Sequence, residues 1–299
     1  MPTRSYVLVI NGRKVRQPVF VIGAPHSGAD LLARALKRSQ GFHFTVGQPS
    51  VVNVAYAFAR TPSIQTGRGE AAATVLRDAF AQAWRVTAEA CLTCSPDCQR
   101  ARPGSGPGGG APAGLCVDER EITRYGDSTP ALMYCAEALV DAFPDAKIVQ
   151  IIRDGRDVVA AMMSDPAELA WFRRGVANVE TEFPNPFFGI ETEEDRDGWG
   201  TLSAAGKCAM RWRGSVHKMA RLRNSLTAGQ LTTFRFEQVV AQPAAAASAL
   251  SEFIDAKVGP VEVPRKKDSS NWRRLLSPAQ LAEVQRVAGP QLGRVGYGA

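Results

Sequence analysis

The sequence predicts an α/β protein, a central parallel sheet flanked by helices, and three observations carry that prediction. Pro18 to Ser39, PVFVIGAPHSGADLLARALKRS, sends four apolar β-formers, Val19 to Ile22, through a short glycine loop into Leu31, Leu32, Ala35 and Leu36 at helical spacing. Ala146 to Ile152, AKIVQII, is a second near-continuous apolar run, the pattern of a strand buried on both faces, and it discharges into RDGRD and the helix VVAAMMSD. The helix ALMYCAEALVDAF precedes that strand. Alternating helix and strand argue for a parallel sheet with its ligand crevice at the strand C-terminal ends.

The loop Gly23-Ala-Pro-His-Ser-Gly28 is the first candidate site. A turn this short aims successive backbone N–H groups and the positive end of a helix dipole at one point, which favours an anion. A nucleotide triphosphatase would place Gly-Lys-Ser/Thr at its end, the lysine for the terminal phosphates and the hydroxyl for magnesium. This chain has Gly28-Ala29-Asp30, so the loop predicts a metal-free phosphate ester rather than ATP or GTP hydrolysis. An ordinary glycine-containing βα turn is the alternative.

Length and composition bound the reading. With 299 residues, 45% of them hydrophobic, the chain predicts one α/β domain, 1–299, with insertions. The balance of 36 Lys+Arg against 29 Asp+Glu, +7 net, suits a polyanionic ligand. The basic residues are scattered in pairs without interleaved aromatics, so no nucleic acid partner is expected. No apolar run is long enough to span a bilayer and MPTRSYVLVINGRK is too soon interrupted for a signal peptide, so the expected location is cytoplasmic.

Along the chain, Tyr6 to Ile10 and Arg13 to Val15 flank Asn11-Gly12, a hairpin expected to extend or cover a sheet edge. Gly41 to Arg60 is mixed and contains His43, and Glu70 to Ala90 reads as an amphipathic helix packing Val75, Leu76, Phe80, Trp84 and Val86 inward. His43 and Glu70 are candidate general bases, although a lone histidine near a turn is more often structural. Cys91, Cys94, Cys98 and Cys116 bracket a Pro/Gly-rich insertion, 91–116, that needs a staple. Four cysteines fit a structural zinc site, with disulfides or unlinked thiols as alternatives. Tyr125 to Pro130 reads as a turn before a helix. Residues 167–230 are expected to form a helical lid or acceptor-side region: six aromatics, Trp171, Phe172, Phe183, Phe187, Phe188 and Trp199, lie beside an acidic run read as a solvated face, and a basic amphipathic helix, Lys207 to Leu226, follows.

Five segments together carry a family resemblance. FVIGAPHSG resembles the 5′-phosphosulfate loop of PAPS-dependent sulfotransferases, commonly P-K/R-S-G-T-T, and FPDAKIVQIIRDGRDVVAAM resembles their 3′-phosphate strand-loop-helix. GDSTP is similar to the G-D-K-T-P turn of the bacterial branch, TTFRFEQVV to the R-Y-E-D segment, and the stretch from Asn271 to Tyr297 to the family's C-terminal tail. Arg265-Lys266-x5-Trp272 keeps the spacing of a nucleotide motif, with Lys267 and Ser270 in place of its glycines. The resemblance implies a P-loop-like sulfotransferase fold and sulfuryl transfer from PAPS, leaving PAP, to a hydroxyl or amine of a small-molecule acceptor. It implies that Pro25, His26, Ser27, Gly28, Ala29 and Asp30 surround the 5′-phosphosulfate, that Arg153, Arg265 and Lys266 hold the 3′-phosphate, and that Trp272 offers adenine a face.

Several positions depart from the family pattern. The loop cation is His26, the paired threonines are Ala29-Asp30, the lysine of the G-D-K-T-P turn is Ser128, and the serine eight residues past Arg153 is Ala161. Ser164, one helical turn beyond Ala161, and Arg34, placed to pair with Asp30, are candidate compensations. His26 can act as a protonated donor, or as a base paired with Asp30. The alternative to PAPS-dependent transfer is a protein that keeps the fold as a binding module, or that runs another reaction with His26 and Asp30.

Overall fold

The computed structural model describes residues 7–66, 70–87, 94, 115–172, 182–227, 229–263 and 272–298. Two strands, β1 (Val9–Ile10) and β2 (Arg13–Lys14), pair antiparallel through Asn11 and Gly12, both at positive φ (50° and 73°) as a tight hairpin turn requires. They form their own two-stranded sheet rather than an extension of the main one. The hairpin is tied to the body where the Tyr125 hydroxyl donates to the Ile10 carbonyl, 3.2 Å.

The main sheet has five parallel strands in the order β4-β5-β3-β6-β7: β3 (Val19–Ile22), β4 (Phe42–Val46), β5 (Arg124–Ser128), β6 (Lys147–Ile152) and β7 (Leu231–Arg235). Central strand β3 is wholly buried because both its faces are covered. Val19 and Val21 face Leu31, Leu32 and Leu36 of helix α1 (Ala29–Lys37), with Leu250 and Ile254 beyond. Phe20 and Ile22 join the larger core on the other face. The period-2 alternation of strand side chains produces this division, with Ile148 and Val149 of β6 on opposite sides in the same way.

The larger core is closed by α2 (Pro49–Arg60), α3 (Glu70–Ala83), α4 (Ala136–Ala142), α5 (Gly155–Met163), the short α6 (Pro166–Ala170) and the long α8 (Ala204–Ser225), with α7 (Glu193–Gly198) on the surface between α6 and α8 in the chain. After β7 come α9 (Phe236–Ala241), α10 (Pro243–Ile254) and α11 (Pro278–Arg294). Among the described residues no helix is long and apolar enough to cross a membrane.

Several local expectations are corrected. The GDSTP segment is not a turn: its first residues end β5, with Gly126 opposite Val19 and Asp127 opposite Phe20. Helix α3 ends at Ala83, and Val75 lies on its solvent side, 45% exposed, while Trp84 and Val86 are buried beyond the helix end. Phe187, Phe188 and Trp199 are core residues, and Phe183 is exposed. The acidic run, by contrast, is the solvated face expected: it forms α7, capped by Thr192 and with no buried residue, and Asp195 pairs with Arg213.

Candidate functional site

The loop between β3 and α1 is built from backbone constraints. His26 and Gly28 both have left-handed φ, 61° and 92°. Between them the Ser27 N–H returns to the Ala24 carbonyl, 3.1 Å, and the Ser27 hydroxyl donates to the same oxygen. A Cβ at Gly23 would stand 2.6 Å from the Ile151 carbonyl of the neighbouring strand, so only glycine lets the loop leave the sheet there. Helix α1 begins at Ala29 behind Gly28, and no side chain caps its N-terminus. The positive end of the dipole and the first-turn amides therefore face the loop mouth.

Strand β6 lies beside β3, which brings Arg153, the residue after β6, to the same rim. Its Nη1 donates to the His26 carbonyl at 3.1 Å, and its guanidinium stacks 4.3 Å from the centroid of the Phe236 ring. Arg153 Nε is buried and has no hydrogen-bond partner among the described residues. A buried, unpaired guanidinium N–H beside an anion-binding loop is a donor with unused capacity. A narrow cleft opens here, lined by Gly23, Ser27, Gln150, Arg153, Trp212 and Ser215.

The N-terminus of α5 gathers the C-terminal part of the chain. Asp154 caps it, accepting from the Arg156 N–H at 2.9 Å, and pairs with the Arg156 guanidinium at 2.7 Å. The buried carboxylate of Asp157 accepts from the Trp272 N–H at 2.9 Å, so the segment that follows 264–271 is anchored within a turn of Arg153. Trp272 is buried, with the Arg156 and Arg273 guanidiniums 4.6 and 4.3 Å from its ring centroid. Glu237 of α9 accepts from the Asp154 N–H at 3.1 Å and from the Tyr297 hydroxyl at 2.6 Å. Burial and the Glu237 carboxylate together push the Tyr297 phenol well above its ordinary range.

The sequence candidates separate into three groups. Pro25, His26, Ser27, Gly28, Ala29, Asp30 and Arg153 do meet at one rim. Within it, Asp30 pairs with Arg34 at 3.1 Å rather than with His26, whose Nε2 lies 3.2 Å from the Asp165 carboxylate. Ser164 turns its hydroxyl back onto the Ala160 carbonyl, 3.1 Å, as the cap of α5.

His43 and Glu70 stand elsewhere. His43 is buried within β4, a strand separated from β3 by β5, with its Nδ1 3.9 Å from the Cys116 sulfur and its ring edge-on to Tyr125. Glu70 is exposed at the start of α3. Arg265, Lys266, Cys91 and Cys98 lie outside the described residues. Cys94 is buried and accepts from the Gln48 amide at 3.2 Å, and among the described residues no group of three or more His, Cys, Asp and Glu side chains is placed to hold a metal ion.

Sequence reasoning missed Asp165, Phe236, Glu237 and a buried pair behind the rim, Glu168 with Arg211. Arg211 is 1% exposed and stacks 4.2 Å from the Phe187 ring centroid. Burial pushes the neighbouring Tyr134 phenol up. The only linear signal for Asp165 was its place as a helix cap before Pro166.

A family model described as "Sulfotransferase family" matches residues 18–185, which include both β3 and β6 with their loops. No curated protein matches the chain. Among solved structures, a sulfotransferase from Alicyclobacillus acidocaldarius is 16% identical at TM-score 0.48, covering 94% of each chain. The sulfotransferase STF1 from Mycobacterium tuberculosis H37Rv is 14% identical at TM-score 0.46, covering 93% of this chain and 77% of that one. Mouse sulfotransferase SULT7A1, solved in complex with PAP, is 11% identical at TM-score 0.41, covering 93% of this chain and 86% of that one. With more than half of its length matched by the family model, including the strand-loop-helix units that form the candidate site, this chain belongs to the sulfotransferase family.

Proposed function

We propose that this chain transfers a sulfuryl group from PAPS to a hydroxyl or amine of a small-molecule acceptor. The observation that carries the reading is Arg153: a guanidinium held on Phe236, bonded to the loop through the His26 carbonyl, with a buried N–H left over. A planar cation beside the uncapped N-terminus of α1 makes two adjacent anion sites. That donor set fits a nucleotide carrying phosphate at both its 3′ and 5′ positions. When bound, PAPS supplies a sulfuryl group on a phosphate oxygen, which leaves through a loose transition state.

The residues of the chain then have distinct tasks. Amides of the loop and the α1 N-terminus hold the 5′ end and offset charge developing on the bridging oxygen. Arg153 binds the 3′-phosphate, and Arg265 and Lys266 add to that site. Trp272, anchored by Asp157, borders it. His26 is the one titratable side chain of the loop from Gly23 to Gly28. The competing reading, a binding module without transfer, draws on Ala29-Asp30, where the family pattern has two hydroxyls.

Isothermal titration with PAP tests the reading. Binding near about 10 μM, weakened at least about tenfold by Arg153→Ala, is the expected result, a loss of about 1.4 kcal/mol or more. No heat at about millimolar PAP overturns the donor assignment. Binding with no turnover across an acceptor panel favours the binding module.

A further inference from the structure

We propose that Asp165 is a positioning residue for the loop: it holds Nε2 of His26, so that the imidazole, through Nδ1, serves as the cation the loop otherwise lacks. The proposal rests on the loop being an anion site, as in the function proposed above. His26 occupies a left-handed conformation, φ 61°, that a non-glycine residue adopts at a cost of about 1–2 kcal/mol. Its carbonyl is taken by Arg153, which orients the peptide, and its ring reaches Asp165 at 3.2 Å.

Asp165 is itself fixed. One oxygen, Oδ1, accepts from the Ala167 N–H at 2.9 Å as the cap of α6, which leaves Oδ2 for the imidazole. Capping needs only the first oxygen. The second contact has no part in the helix, and with Nε2 facing Oδ2 of Asp165 at 3.2 Å the ring nitrogen left to meet a ligand is Nδ1.

Asp30 of α1 is matched by Arg34, Asp154 before α5 by Arg156, and Glu168 of α6 by Arg211. Arg153 contributes positive charge to the same rim and reinforces anion binding.

The test uses the whole protein and two probes, inorganic sulfate and PAP. The chain has three histidines, His26, His43 and His217, so long-range ¹H–¹⁵N spectra resolve each ring, with His26→Gln assigning the first. Expected are an Nε2-protonated His26, a changed ring signal in Asp165→Asn, and an Nδ1 shift when either probe is added. PAP affinity at about pH 6.5 should fall about tenfold in Asp165→Asn and in His26→Gln, with no further loss in the double variant.

Asparagine keeps the capping oxygen, so weakening in Asp165→Ala but not in Asp165→Asn would reduce Asp165 to a cap and overturn the proposal. Additive losses, or an Nδ1 that neither probe moves, would also overturn it. Sulfate that moves Nδ1 while PAP binds no tighter than sulfate would sustain the dyad and sink the PAPS reading instead.

Discussion

Gly28→Ala tests how the loop is built, because two costs meet at one atom. An L-residue at φ 92° costs about 1–2 kcal/mol relative to glycine. The added Cβ would also lie 2.3 and 2.7 Å from Cδ2 and Cε2 of Phe236, whereas carbon atoms rest about 3.5–4.0 Å apart. The ring must retreat by roughly 1 Å inside a filled core, an overpacking cost of about 1–3 kcal/mol. The sum, about 2–5 kcal/mol, lowers the melting temperature of a 299-residue chain by roughly 3–8 °C.

Phe236 also carries the Arg153 guanidinium, so the same substitution should weaken PAP binding. Gly293→Ala is the control: it lies in α11, a Cβ there meets nothing within 4 Å, and alanine should stabilise by about 0.5–1 kcal/mol. Thermal melting followed by circular dichroism reads both variants. A Gly28→Ala protein melting within about 2 °C of wild type would refute the reasoning.

Three other outcomes follow from the structure. Arg211→Met strands the Glu168 carboxylate, 9% exposed, and should cost about 3–5 kcal/mol in urea denaturation, much of it recovered when Glu168→Leu is added. Burial pushes Glu191 and Asp195 up, but hydrogen bonds from His217 and Arg221 to the first, and from Arg213 to the second, outweigh it and hold both carboxyls below their ordinary 4.5 and 3.8. Their stabilisation is complete above those values and is lost as pH falls through the lower folded ones, so Asp195→Asn should lower stability at neutral pH and flatten the acid limb of a pH–stability curve. Burial pushes the Cys135 and Cys208 thiols to about 12, and peptide mapping after iodoacetamide treatment of the native protein should find both unmodified.

The legible parts of the sequence were those whose burial pattern is one-dimensional. Val19 to Ile22 is apolar throughout, and Lys147 to Ile152 is apolar except at Lys147 and Gln150, because both faces of their strands are covered, and each leads directly into a loop and a helix. Strand β4, FHFTV, was not legible: His43 and Thr45 interrupt the apolar run. Thr45 is accommodated by donating to the Asp127 carboxylate at 2.6 Å, a partner on another strand that no local pattern announces. GDSTP was misread for the complementary reason. Its glycine, aspartate, serine and proline favour turns, but pairing on both sides, with β3 and β4, overrides that propensity.

The site divides in the same way. Residues contiguous with a strand-loop-helix could be named from the sequence, while the partners that determine what they do come from elsewhere in the chain. His26 shows why. Because β3 and β6 are neighbours, the loop after one strand shares a rim with the helix after the other. Helix α5 spans nine residues, about 14 Å, and residues at both its ends reach the same loop position: Arg153 grips the His26 carbonyl and Asp165 grips the His26 ring. A change of side chain at position 26 is therefore met by a single strand-helix unit rather than by the loop's own neighbours. Asp30, adjacent in sequence and the natural candidate from spacing, turns instead to Arg34 one helical turn away, where a surface pair forms without crossing the loop. Adjacency in the sheet, not adjacency in the chain, decides which carboxylate His26 meets, and a substitution at Asp165 should be felt at His26 more strongly than one at Asp30.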